Sequence, residues 1–254
     1  MEERRKISAV IITFNEERNI ERCIKSLENV ADEIIVLDSF STDNTQAICQ
    51  KYNVKFVQQK WLGYAKQKNY ANSLASYDLI LSLDADEALS DELKNSILEI
   101  KKTSEIAAYT MNILTNYCGK WIYHCGWYPG KKIRIFDKNV ACWKDMKIHE
   151  EIDFSVETPV IHLKGDILHY SYYTIQEHIN QANKYTDLTA EVAFEKNKKS
   201  SLFNIFFNPK WKFFSSFIIK GGFLDGYYGY LVCKISANAT FLKYAKLREL
   251  NKNK

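Results

Sequence analysis

The sequence predicts an α/β fold: a mostly parallel central sheet with helices on both faces, followed by a C-terminal helical segment of different character. Three observations lead there. Short apolar, β-branched runs alternate with amphipathic stretches at helical spacing, the pattern of strand–helix–strand units. Several of those runs end abruptly in acids or small polar residues, where open α/β sheets bind ligands. The chain has 254 residues, 46% of them apolar, enough for one large domain or a domain with an appendage.

Residues Ile7–Thr13 (ISAVIIT) read as a buried strand, and Ile20, Cys23, Ile24 and Leu27 then recur at helical spacing. Glu33–Asp38 (EIIVLD) is a second buried strand. Residues 39–45 (SFSTDNT) are dense in side chains that cap helices and bind backbone, and a helix follows to about Tyr52. A short strand at 54–57 and a helix at 64–76 lead to the apolar run 79–83, which stops at Asp84, Asp86 and Glu87. Residues 107–116 and 131–136 alternate like strands. PVIHL and DILHY, carrying His162 and His169 on either side of Asp166, read as a further strand pair. Residues 174–196 read as a helix packed across the core, with Ile175, Ile179, Ala182, Tyr185, Thr189 and Val192 on its apolar face.

Right-handed crossovers put the ends of the parallel strands on one edge. That edge gathers Thr13, Asn15, Glu16, Asp38, Ser41, Asp43, Asp84 and Asp86, with Lys66 and Asn69 from the intervening helix. The set suits a nucleoside diphosphate. An acid after a strand binds ribose hydroxyls or a base N–H. Asp84 and Asp86 are hard oxygen donors for Mg²⁺ or Mn²⁺, which would bridge two phosphates. The other reading of Asp84-Ala85-Asp86 is a solvated acidic turn that caps the next helix at Ser90. No Gly-x-Gly-x-x-Gly or Gly-x-x-x-x-Gly-Lys-Ser/Thr occurs, which argues against a dinucleotide or P-loop site.

Thr13-Phe-Asn15-Glu16, Ile35-Val-Leu-Asp38-Ser39, Ser41-Thr-Asp43-Asn-Thr45, Gln67-Lys-Asn69 and Leu83-Asp84-Ala-Asp86-Glu87 together resemble a family 2 glycosyltransferase, in that family's order and approximate spacing. The resemblance covers about the first hundred residues well. It implies a GT-A fold, which is Rossmann-like, and an inverting transfer of a sugar from a nucleotide donor. It also implies that Thr13, Asn15, Glu16 and Asp38 contact the nucleoside, and that Asp84 and Asp86 hold a divalent metal on the diphosphate. UDP-glucose as donor and a lipopolysaccharide inner core as acceptor are what its lipopolysaccharide-core branch implies.

The second half supplies an acceptor site and a base. Residues 121–130 (WIYHCGWYPG) are rich in aromatics. Trp127 offers a flat face to a sugar ring; the alternative is a packed hydrophobic loop. Inverting transfer needs a group that takes the acceptor hydroxyl proton. His149-Glu150-Glu151 resembles the segment that closes the site in the same branch. Glu150 is the expected base, with His149 orienting it or contacting phosphate, and neighbouring Glu151 leaves the choice between the two acids open. Surface charge at a strand end is the alternative. His169 heads a stretch, His169-Tyr-Ser-Tyr172, that recurs in that branch, and is either a diphosphate or metal contact or a structural residue. His162 is expected to be structural.

Six scattered cysteines without a C-x-x-C pair suggest reduced thiols in a cytoplasmic protein. No cleavable leader is legible, and no apolar run reaches bilayer-spanning length. Charge is uneven. Residues 196–254 hold twelve Lys or Arg against Asp225 and Glu249, a net +10 in a chain of net +4. The basic stretch from Phe203 is interleaved with aromatics and broken at Gly221–Gly226. It reads as lying on the inner face of the cytoplasmic membrane, or else as a helical hairpin packed on the body or a dimer interface. The expected organisation is a nucleotide-sugar-binding half (1–102), an acceptor-binding and catalytic half (103–196) and a basic aromatic tail (197–254). Two competing classes are a nucleotidyltransferase, disfavoured because Phe14-Asn15-Glu16-Glu17 is not a Gly/Arg-rich loop, and a non-enzymatic nucleic-acid binder, which leaves the acidic cluster unexplained.

Overall fold

The computed structural model describes residues 4–103, 107–145 and 151–252. The chain forms two compact units, Met1–Ile113 with Lys131–Tyr170, and Leu114–Gly130 with Ser171–Lys254.

The first unit opens with β1 (Ile7–Thr13), α1 (Ile20–Ser26), β2 (Glu33–Asp38), α2 (Thr45–Cys49), β3 (Lys55–Gln58), α3 (Tyr64–Ser73) and β4 (Leu79–Asp84). These follow the sequence reading closely. β5 (Glu87–Leu89) and α4 (Asp91–Ile100) come next in the chain, then β6 (Ala108–Tyr117), whose last residues are counted with the second unit, β7 (Lys120–Ile122) of that unit, and β8 (Gly130–Asp137), β9 (Ala141–Trp143), β10 (Ile152–Phe154) and β11 (Val160–Tyr172). The main sheet has the order β3-β2-β1-β4-β8-β6-β11-β5, with β7 on β6, and β9 and β10 pair separately. β3, β2, β1 and β4 run parallel. The pairs β4–β8 and β11–β5 are antiparallel, so the parallel character belongs to the N-terminal half of the sheet.

All seven residues of β1 are buried, because both faces of the parallel half are covered. Ile7, Ala9 and Ile11 pack with Ile20, Ile24, Leu27, Leu93 and Ile97, from α1, the turn after it and α4. Val10 and Ile12 face the other way, towards Ala65 and Ala71 of α3. Each such aliphatic side chain contributes roughly 1.5–3 kcal/mol by leaving water. Ser90 caps α4, its Oγ accepting from the Leu93 N–H at 3.3 Å.

Register fixes the functional edge. Thr13 lies opposite Asp38 in the β1–β2 pair, and Ile12 opposite Asp84 in β1–β4. Three strand ends therefore finish level. On the far side, His169 lies opposite Glu87 in β11–β5. The two strands expected around Asp166 are one continuous strand, β11. It crosses Gly165 at φ +95°, where an added Cβ would lie 2.3 Å from the Leu93 backbone nitrogen. Only glycine permits both that backbone shape and that approach of the strand to α4.

The second unit is mainly helical: α5 (Ile175–Glu195), α6 (Leu202–Phe214), a π-helical turn (Ser215–Ile219), a 3₁₀ turn (Gly222–Asp225) and α7 (Gly226–Lys252). α5 starts at a reciprocal cap between Thr174 and Glu177. Its buried face is not the expected one. His178, Thr186, Ala190 and Ala193 point inward, while Ile179 and Tyr185 are exposed. The cause is its neighbour. α5 packs along α7, where Ala190 and Ala193 meet Leu247, and small residues let the two helices approach closely. Tyr117 anchors the unit. Its ring is fully buried among Trp127, Tyr172, His178 and Tyr228, at centroid distances of 5.2–6.1 Å. Among the described residues no helix is long and apolar enough to cross a membrane, and all six cysteines are free thiols.

Candidate active site

The level ends of β1, β2 and β4 carry two loops that are tied to each other. Asp38, fully buried, accepts from the Ser41 N–H at 2.9 Å, from the Ser41 hydroxyl and from Gln58 Nε2 at 3.1 Å. The same Ser41 oxygen accepts from the Asn15 N–H at 2.8 Å, and Asn15 Oδ1 accepts from the Thr42 N–H at 2.8 Å. Asn15 sits at φ +55°, a conformation asparagine tolerates better than most residues. Asp43 accepts from the Glu17 N–H at 3.0 Å and from both donors of Thr45, whose oxygen takes the Glu16 N–H at 2.9 Å. Ser41 and Asp43, expected as ligand contacts, here shape the two loops. Thr13 lies at the end of β1, 5% exposed, and its hydroxyl has no hydrogen-bond partner. An orphaned buried hydroxyl of this kind is suited to a ligand atom.

The D-x-D stretch divides its labour. Asp84 Oδ1 is 3.0 Å from Lys68 Nζ, and Oδ2 is 2.9 Å from Arg134 Nη2. Arg134 also binds Glu87, which in turn accepts from the Asp84 N–H at 3.0 Å. Lys68, Arg134 and Glu87 are each at most 3% exposed, whereas the Asp84 side chain keeps 32%. Burial pushes the Asp84 carboxyl up, but Lys68 and Arg134 outweigh it and hold the group well below the usual carboxylate range. Asp86 is different. It pairs with His169, Oδ2 to Nε2, at 3.1 Å, and its carbonyl accepts from the Tyr170 N–H. Burial lowers the His169 pKa, yet the Asp86 charge outweighs that and raises it. Glu16 is raised to about 7, by burial and then by Asp86, Asp43 and Asp84, although Asn19 donates to it.

The structure places the other expected residues as follows. Asp84, expected with Asp86 as a metal ligand, has one oxygen on Lys68 and the other on Arg134, while Asp86 pairs with His169. Lys66 lies 65% exposed beside Asp145, and Lys68, two residues on, is the lysine that reaches the acidic edge. Asn69 lies where α3 meets β9. Its amide clips the Trp143 backbone from both sides, at 2.8 and 2.9 Å. Trp127, partly buried, is part of the Tyr117 cluster of the second unit. His162 pairs with Thr110 at 3.1 Å, as a structural residue would. His149 and Glu150 lie outside the described residues.

A divalent cation fits the donor set at Asp86 and His169. The Asp86 carboxylate is the donor type that Mg²⁺ or Mn²⁺ accepts, and the His169 ring nitrogen facing it offers a second donor atom. Among the described residues no group of three or more His, Cys, Asp or Glu forms a complete cage, so phosphate oxygens would have to complete the shell.

Residues 8–154 match the family model described as glycosyl transferase family 2. The chain is 35% identical to an uncharacterized glycosyltransferase of Rickettsia typhi, over 97% of this chain and 88% of that one. It is 30% identical to the lipopolysaccharide core biosynthesis glycosyltransferase LpsC of Rhizobium meliloti, over 95% and 91%. Among solved structures, the mannosyltransferase PcManGT from Pyrobaculum calidifontis, in complex with GDP-Man and Mn²⁺, superposes with a TM-score of 0.56 at 14% identity, covering 97% of this chain and 88% of that one. The level strand ends, the two tied loops and the split acidic pair thus sit in a GT-A fold, and the chain belongs to glycosyl transferase family 2.

Proposed function

We propose that this glycosyltransferase is inverting and metal-dependent, and moves a hexose from a nucleotide diphosphate sugar, UDP-glucose by the sequence resemblance, to a glycolipid acceptor such as a lipopolysaccharide inner core. The observation that carries the reading is the Asp86–His169 pair at the edge where the ends of β1, β2 and β4 finish level. Thr13, with its orphaned hydroxyl, together with Asn15, Glu16 and Asp38, lines the nucleoside end. Ser41 and Asp43 act by holding the two loops in shape. Asp86 and His169 would hold Mg²⁺ or Mn²⁺. Asp84, fixed by Lys68 and Arg134, presents its exposed edge to the sugar nucleotide. A bound divalent cation supplies positive charge against the departing diphosphate. Glu150 takes the proton of the attacking hydroxyl, with His149 beside it, and Glu151 is the rival for that role. The similarity to a protein named as a lipopolysaccharide core glycosyltransferase supports the acceptor class. A lipid-linked acceptor places the protein peripherally at the cytoplasmic face of the membrane.

The test is calorimetric titration of UDP and GDP with Mn²⁺, Mg²⁺ or EDTA, followed by diphosphate release from a panel of nucleotide sugars. Metal-dependent binding and slow hydrolysis of one donor, both lost in Asp86→Ala and in His169→Ala, are expected. Absence of nucleotide diphosphate binding with either metal would overturn the reading.

A further inference from the structure

α6 buries only Ile205, yet nearly all its large side chains are apolar. Phe203, Phe207, Trp211 and Phe214 stand at i, i+4, i+8 and i+11, one stripe of a helix, and are 47–65% exposed. Phe203 and Phe207 stack on each other at 4.9 Å, so neighbouring rings of the stripe pack on each other. The exposed apolar surface continues through Ile218 and Ile219 of the π turn to Phe223 and Leu224 of the 3₁₀ turn. Isolated exposed apolar side chains are ordinary, but a contiguous run of this length marks a contact surface.

Charge says what kind. Residues 196–224 carry six lysines and no acid. Three lysines converge on a cavity of about 330 Å³ beside the start of α6, lined by Lys198, Lys199, Lys243, Asn204 and Tyr244. Asn204 stands next to Phe203 and one turn before Phe207 and Asn208, so the cationic cup borders the aromatic stripe. A second copy of this chain would bring like charges face to face. No described helix is suited to span a bilayer. α7 is a different case: Val232, Cys233, Ala237 and Leu247 are buried within the unit, so the C-terminal half of the basic tail is largely structural.

We propose that α6 and the two turns after it form an interfacial membrane anchor. The Phe203–Phe207–Trp211–Phe214 stripe enters the headgroup region of an anionic bilayer, and the Lys198–Lys199–Lys243 cup receives a lipid phosphate. Apolar burial supplies the hold and the lysines supply the preference for anionic lipid. This deepens the acceptor side of the proposed function, yet its test does not depend on transfer.

The experiment is co-sedimentation of the full chain with vesicles of phosphatidylcholine alone or with phosphatidylglycerol added, across a salt series. Wild type should bind the anionic vesicles at least tenfold more tightly, with the preference falling as salt rises. Phe203→Ser with Phe207→Ser and Phe214→Ser should weaken binding to both compositions by about a hundredfold. Lys198→Glu with Lys199→Glu and Lys243→Glu should abolish the anionic preference. Because five of the six residues are exposed and Lys243 is half-buried with its side chain lining the cavity, thermal unfolding of both variants should stay close to wild type, and donor hydrolysis in lipid-free solution should match it. Equal binding to neutral and anionic vesicles would overturn the proposal, as would a triple-serine variant that binds like wild type. So would lipid-free self-association that the serine substitutions abolish, which would make the stripe an interface between copies. Vesicle binding without donor hydrolysis would leave the anchor standing and count against the transferase assignment alone.

Discussion

Replacing Arg134 by Met should be among the most damaging single changes in the first unit, and the reason is electrostatic. Arg134 is 1% exposed and is the cation shared by Asp84 and Glu87. Lys68 would remain on Asp84, but Glu87, 1% exposed at its side chain, would lose its counter-charge. Breaking one partner from a buried ion pair costs about 3–5 kcal/mol, because the survivor is left charged and dry. Domains of this kind hold only about 5–15 kcal/mol in total. For a chain of this length each kcal/mol lowers Tm by about 2–4 °C, so the expected drop is about 6–20 °C. Urea unfolding followed by near-ultraviolet circular dichroism gives the free energy, and calorimetry gives Tm. The companion is Arg134→Met with Glu87→Met, which removes both charges and fills the space. That double variant should recover most of the loss, leaving a coupling energy well above the usual scatter of about 0.5 kcal/mol. A single variant within about 1 kcal/mol of wild type, or a double variant as unstable as the sum of the two singles, would refute the argument.

Asn69→Ala should lose the two-sided clip on Trp143 and about 1–3 kcal/mol of stability, while nucleotide diphosphate binding, measured by calorimetry, stays within threefold of wild type. Gly165→Ala should fail to fold or lose more than about 3 kcal/mol, since the new methyl collides with backbone and not with a movable side chain; soluble expression and melting temperature check this. His178 gives a pH prediction. Burial depresses its pKa from 6.5 to about 4, and its Nδ1 lies 3.1 Å from the Tyr117 hydroxyl. The unfolded chain takes up the proton below about 6.5 and the folded one only near 4, so this contribution is intact at neutral pH and is lost as pH falls between those values. Relative to His178→Gln, wild type should forfeit up to about 3 kcal/mol between pH 7 and pH 4. A stability difference that is flat with pH would refute the assignment of a neutral buried imidazole.

The parallel half of the fold was legible because its strands are buried on both faces and end in abrupt polar switches, as at Thr13, Asp38 and Asp84. Ser90 was legible as a cap because its chemistry is local. What escaped depended on partners distant in sequence. Lys66 and Lys68 differ by two positions on α3, and only the helix's rotation against β4 decides which reaches Asp84. Arg134 looks like an outward residue of an alternating strand, but the β4–β8 pairing sets Ile135 against Leu81 and buries it beside the acids. The face of α5 was misjudged because apolar spacing was taken as the sign of burial; against α7 another stripe, with the small side chains of Ala190 and Ala193, goes inward. His169 was noticed, but its partner was not, since an antiparallel pairing between β5 and β11 joins residues more than eighty positions apart.

The two loops that follow β1 and β2 have a thermodynamic consequence. Ser41 serves Asp38 and Asn15 at once, Asp43 holds Glu17 and Thr45, and Thr45 holds Glu16. These cross-ties form without a ligand, so the two loops take their shape when the chain folds. A nucleotide entering such a mould should therefore pay little conformational entropy for ordering these loops. The same cross-ties also mean that a substitution in one loop is felt in the other. Variants at Asn15 and at Ser41 should behave as one coupled unit and not as two independent contacts.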